Sequence, residues 1–157
     1  MRSFARALAP WLAVAVGAVL GTAARYGLDL LMPHALADVP WSTILANTLG
    51  SFALGFLAAG TWAIVPSWMR AGLGAGLLGS FTTFSSIMIA VVATTQGGPL
   101  AGGPGSVDPG SLAQAVGVLV GSMFAGLLAA LIGIILGRKA SGRGAGGRPT
   151  VDDEEDA

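Results

Sequence analysis

The stretch GLLGSFTTFSSI, Gly76 to Ile87, places five hydroxyl side chains, two phenylalanines and two glycines inside an otherwise apolar segment. Each type has a use at membrane depth. Gly79 and Ser80 weaken a helix at its middle. Interrupted backbone survives in a bilayer only where it is buried in protein or lines a polar cavity. An interruption frees carbonyl oxygens, which are hard ligands for a small cation. Thr82, Thr83, Ser85 and Ser86 carry hydroxyls able to donate to an anion, and Phe81 and Phe84 carry rings with electropositive edges. Ring edges, hydroxyls and an amide hold a dehydrated anion weakly enough to let it go, as passage requires. The plainer alternative is a packed helix interface in which serine and threonine act as glue.

Three more polar residues sit in apolar surroundings. Asn47, in ILANTLGSFALG, either hydrogen-bonds a neighbouring helix or faces an ion path. Ser122, in GVLVGSMFAG, either serves such a path or bonds its own helix backbone. Arg25, in GAVLGTAARYGLDL, is a costly charge near the end of its segment. It either shapes a vestibule or anchors the helix, by snorkelling or by pairing with Asp29 one turn on.

The elements that must position these residues are membrane spans. The chain is 54% hydrophobic and 10% charged, against about 25% charged for a soluble domain. Four apolar segments, at about 11–32, 43–65, 71–94 and 112–136, each approach the ~20 residues that cross a bilayer. The fold expected is all-α: four transmembrane helices in residues 1–137, the third broken at its centre, then a disordered tail over 138–157. The first segment, preceded by Arg2 and Arg6, also has features of a signal peptide, but its apolar pattern continues past the small-residue GTAA. MPHALADVPW, PSWMR and TQGGPLAGGPGSVDPGS are the expected connections, with Trp62 and Trp68 as interfacial anchors. The small-xxx-small pairs Gly17/Gly21, Gly117/Gly121 and Gly133/Gly137 allow close helix contact.

Charge gives an orientation. Apart from Arg25, every Lys and Arg precedes the first span (Arg2, Arg6), separates the second from the third (Arg70) or follows the fourth (Arg138, Lys139, Arg143, Arg148). With four spans these places share one side, and the positive-inside rule makes it cytoplasmic. A multi-pass protein of the cell membrane with both termini in the cytoplasm is expected.

Absences narrow the chemistry. With no cysteine, disulfides and thiolate sites are excluded. No Asp, Glu or His lies deep in a span, which disfavours a proton-coupled exporter and an intramembrane hydrolase. His34, the one histidine, falls in a connection beside Pro33. No residue pattern points to enzymatic catalysis or to nucleic acid.

GAVLGTAARYGL, WSTILANTLGSFALGFL and GLLGSFTTFSS, in that order, resemble the first-, second- and third-helix signatures of the Fluc (CrcB) fluoride-channel family. The resemblance implies an antiparallel, dual-topology dimer of four-helix subunits with two pores along the interface. It implies a structural, non-transported Na⁺ on the backbone carbonyls of Gly79 and Thr82. It places Asn47, Phe84, Ser85 and Ser86 on the fluoride path, with Ser122 less securely matched, and Arg25 at a motif position. Ile87 stands where the family pattern has a second phenylalanine. The implied function is passive efflux of cytoplasmic fluoride, protecting the cell. The alternatives are a small multidrug-type exporter and a membrane subunit with no transport of its own. The second subunit is either this chain or a homologous chain of opposite orientation, because the one-sided Lys/Arg distribution favours a single orientation.

Overall fold

The computed structural model describes residues 2–33, 39–97 and 109–142. Helix α1 spans Arg2–Leu31, α2 Trp41–Gly60 and α3 Ser67–Ala71. A π-helical segment follows over Gly72–Leu78, then one α-helical turn, α4 (Gly79–Phe81). Helix α5 covers Ser85–Gly97 and α6 Pro109–Ala140. Among the described residues there is no strand. Four stretches are long and apolar enough to cross a membrane: Leu8–Leu31, Trp41–Gly60, Ser67–Ile89 and Leu112–Ala140.

Several boundaries differ from those expected. Helix α2 starts at Trp41, just after the rigid Pro40, and ends at Gly60, with turns over 61–64. Most of PSWMR is therefore helical, in α3, and the connection is the preceding run. The Trp62 indole N–H is buried without a hydrogen-bond partner among the described residues, and its ring lies against Gly74. Helix α6 continues through Ala140, past the expected start of the tail. His34, Asp38, most of the Gly/Pro-rich connection and the tail from residue 143 lie outside the described residues.

Packing falls into two pairs of elements. Helix α2 lies along α6, and α1 lies along the π segment. Both contacts are made backbone to backbone through glycine. A Cβ on Gly133 or Gly137 would strike the carbonyls of Phe52 or Phe56. A Cβ on Gly17 or Gly21 would strike the carbonyls of Gly72 or Leu77, and Gly76 presses on Val14 in return. Apolar burial contributes little to helix association in lipid, so such close van der Waals contact holds the bundle together. Gly117 and Gly121 differ, having no neighbouring atom within 4 Å of an added Cβ. The first segment is thus a working member of the bundle. Gly21→Leu is expected to exceed the ~1–3 kcal/mol usual for overpacking, because the clash is with backbone. Its check is loss of the monodisperse species on size exclusion.

Candidate functional site at the interrupted third span

The third span is interrupted after Phe81. Thr82 takes an extended conformation (φ −85°, ψ 150°), and helix resumes at Ser85. The preceding turns are already loosened. The amide of Gly79 bonds back to Gly74 O, the longer π-type step, as well as to Gly76 O. Such wide turns are rare and are frequent at functional sites.

Helix α2 holds the interruption through one of its turns. Asn47 Nδ2 donates to Thr83 O at 2.8 Å, and Thr83 N donates to Asn47 Oδ1 at 2.8 Å. The side-chain amide so replaces a peptide group and satisfies both polar groups of Thr83 within the membrane region. Three residues along the same face, Gly50 leaves room for the Thr82 methyl, which an added Cβ would overlap. In an unbroken helix the Thr83 amide would close on Gly79 O. Here it is given to Asn47, and Gly79 O loses its helical donor.

An open groove of about 510 Å³ runs past the interruption between α2 and α6. Asn47, Gly79, Thr82, Thr83, Phe84, Ile87 and Ser122 line it, with aliphatic walls from Leu54, Met123 and Leu127. The Phe84 ring is 57% exposed, whereas Ile87 is 2% exposed and packs as a core residue of the subunit.

The groove holds fewer hydrogen-bond donors than its hydroxyl count suggests. The single proton of Ser122 goes to Leu119 O in its own helix at 2.9 Å. That of Thr82 goes to Leu78 O at 3.0 Å. Thr83 and Ser85 share one hydrogen bond at 2.8 Å, which leaves the pair one proton to offer. Asn47 keeps its second amide hydrogen. Ser122→Ala is therefore expected to change ion flux by less than about twofold, since the lost bond is local to α6. Flux from reconstituted vesicles measures it.

Arg25 belongs to a neighbouring cluster outside the groove lining. The residue is 9% exposed. Its Nε donates to Asp29 Oδ2 at 3.2 Å, and one Nη donates to Thr43 Oγ at 2.8 Å and to Ser86 Oγ at 3.3 Å. Ser42 Oγ donates to the same carboxylate at 2.6 Å. The charge is paired inside the protein, as the anchor alternative has it, and ties α1 to α2 and α5. The other Nη is buried with no partner among the described residues. Ser86 thus turns to Arg25, and Ser85 stands beside the groove through its bond to Thr83.

Of the residues expected from the sequence, Asn47, Gly79, Thr82, Phe84, Ile87 and Ser122 line one groove. Ser42, Thr43, Gly50 and Thr83 act as positioning residues, a role the sequence did not mark. Thr43 was visible only as a motif letter, and the spacing of Gly50 to Asn47, one helical turn, was the available signal for the other contact.

A small helical membrane protein with four spans, whose polar residues converge on an interrupted span beside an open groove, is the class these features define. Residues 12–134 match the family model described as "CrcB-like protein, Camphor Resistance (CrcB)", and the chain belongs to that family. It is 38% identical over 119 residues to the fluoride-specific ion channel FluC of Thermus thermophilus, a match covering 74% of this chain and 86% of that one. It is 40% identical over 120 residues to the FluC of Rhodospirillum centenum, covering 74% and 90%. A protein of Streptomyces avermitilis, fluoride-specific ion channel FluC 3, is 38% identical over 133 residues, covering 83% of this chain and 59% of that one.

Proposed function

We propose that the chain is a subunit of a fluoride channel that lets cytoplasmic fluoride leave passively down its gradient. The observation that carries the reading is the interruption at Thr82–Phe84 opening onto the groove, with Asn47 and the Phe84 ring beside it. A half-helix begins there at Ser85, and its N-terminal N–H groups favour negative charge. The second amide hydrogen of Asn47 and the hydroxyl pair Thr83–Ser85 donate to the anion in place of water, and the Phe84 edge adds a weak positive field. None of these groups carries a full charge, so the anion is bound weakly and released.

The carbonyl end of the preceding turn suits a structural Na⁺. Gly79 O has lost its helical donor to Asn47, and Gly79 and Thr82 both line the groove. Bound there, the ion would neutralise the carbonyl dipoles at the helix end. Two carbonyls from one chain do not complete a shell for a hard cation, so the reading calls for a second, antiparallel subunit across the groove. Its source is this chain or a homologue of opposite orientation. Both termini would face the cytoplasm, and no substrate chemistry is involved.

Fluoride efflux from liposomes containing the purified subunits tests the reading. Electrogenic release of fluoride but not chloride is expected, and its absence with every subunit combination would overturn the proposal. Phe84→Ile is expected to lower flux about 3- to 10-fold, matching the ~0.5–1.5 kcal/mol of a ring-edge interaction.

A further inference from the structure

The hydrogen bonds of Asn47 carry a second role, which rests on the channel reading above. We infer that Asn47 is the positioning residue of the cation site: by accepting the Thr83 N–H it keeps the Gly79 carbonyl free to bind a cation. The reasoning is a competition for one proton. The Thr83 amide has two acceptors within the reach of local rearrangement, Gly79 O in a continuous helix and Asn47 Oδ1 in the observed fold. It uses Asn47 Oδ1, at 2.8 Å. The return bond from Asn47 Nδ2 to Thr83 O, also 2.8 Å, removes the other incentive to continue the helix, because Thr83 O no longer needs a donor from the following turn. Gly50 completes the arrangement by accepting the displaced Thr82 methyl. One side chain on α2 therefore faces two ions through different atoms. The acceptor Oδ1 governs the cation site indirectly, and the remaining Nδ2 hydrogen faces the anion.

The two roles separate by substitution. Asn47→Asp retains an oxygen for the Thr83 N–H and so keeps Gly79 O free, while it loses the anion donor. Asn47→Ala loses both, and the Thr83 amide falls back on Gly79 O. The measurement is thermal unfolding of the purified two-subunit assembly, this chain paired with itself or with the homologous chain, in Na⁺ against N-methyl-D-glucamine at fixed ionic strength. A cation bound only by the native state raises the transition by mass action. The parent is expected to show a Na⁺ midpoint, Asn47→Asp one no higher, since its added carboxylate also attracts the cation, and Asn47→Ala a midpoint raised at least ~10-fold or no Na⁺ response. Phe84→Ile, outside the clamp, keeps the parent midpoint although its flux falls. An Asn47→Ala protein with the parent midpoint overturns the inference. So does an Asn47→Asp protein without a Na⁺ response, and that arm decides alone if the alanine variant does not fold. A parent with no Na⁺ response overturns the cation reading and this inference together, while fluoride efflux by the same sample shows whether the channel reading stands.

Discussion

Asn47→Asp is expected to lower fluoride efflux at least ~100-fold while leaving the protein folded. The side chain lines the groove and makes two 2.8 Å bonds to Thr83. Aspartate preserves the size and one of those bonds, so the subunit keeps its shape better than with any other charged residue. What changes is the sign of the groove. A carboxylate about 4 Å from a passing anion repels it by ~4 kcal/mol at an effective dielectric of 20, which corresponds to nearly a thousandfold in rate. Access of water to the open groove reduces the figure, and ~100-fold is the lower bound expected after screening. The loss of the Nδ2 donor adds to it. The check is initial efflux from vesicles containing equal amounts of parent and variant. Parent-like efflux from a folded aspartate variant would remove Asn47 from the ion path.

The site was legible in the sequence where one segment held its parts. GLLGSFTTFSSI shows mixed chemistry in an apolar span, and the interruption falls within it, at Thr82–Phe84, just beyond the weak point Gly79–Ser80. The shift has a physical cause. Glycine lowers helix propensity, but the backbone leaves the helix where an outside group takes over its hydrogen bonds, and that group is Asn47 on α2. No local pattern locates the partner. The same limit applies to Arg25. Its pairing with Asp29 at i+4 was readable from spacing, whereas its bonds to Thr43 and Ser86 depend on how three helices meet. Ser122 shows the reverse case, a groove residue whose proton goes no farther than its own helix.

The π segment was not legible either. A stretch such as GLGAGLL permits both four- and five-residue closure, and contact with α1 through Gly17, Gly72 and Gly76 accompanies the wider turn. Of the three small-xxx-small pairs, two mark real backbone contacts, and at Gly117/Gly121 an added Cβ would meet no atom within 4 Å among the described residues. Equal spacing in sequence therefore gave unequal packing, because the pattern states that contact is possible and not with what.

The cysteine variant Ala140→Cys is expected to react with a membrane-impermeant maleimide only after the cells are opened, and Pro33→Cys to react in intact cells. The parent has no cysteine, so each label reports one position. Ala140 ends α6 and Pro33 follows α1, and both are exposed. After one span and after four, the chain is on opposite sides of the membrane. Arg2, Arg6, Arg70, Arg138 and Lys139 all lie close to helix ends on the side of Ala140. On the other side Arg25 is the one basic residue, and the structure commits it to Asp29, Thr43 and Ser86 inside the bundle. Arg25 is thus a single basic counterweight to the five at the other face. Charges near the ends of short connections set orientation, so labelling is expected to favour one side at least ~10-fold. A single orientation has a consequence for the channel. An antiparallel neighbour across the groove would then have to be a homologous chain with the opposite charge bias, and this chain reconstituted alone would conduct little fluoride. Near-equal labelling of both positions from outside, or strong efflux from the chain alone, would instead establish a dual-topology homodimer and overturn the heterodimer reading.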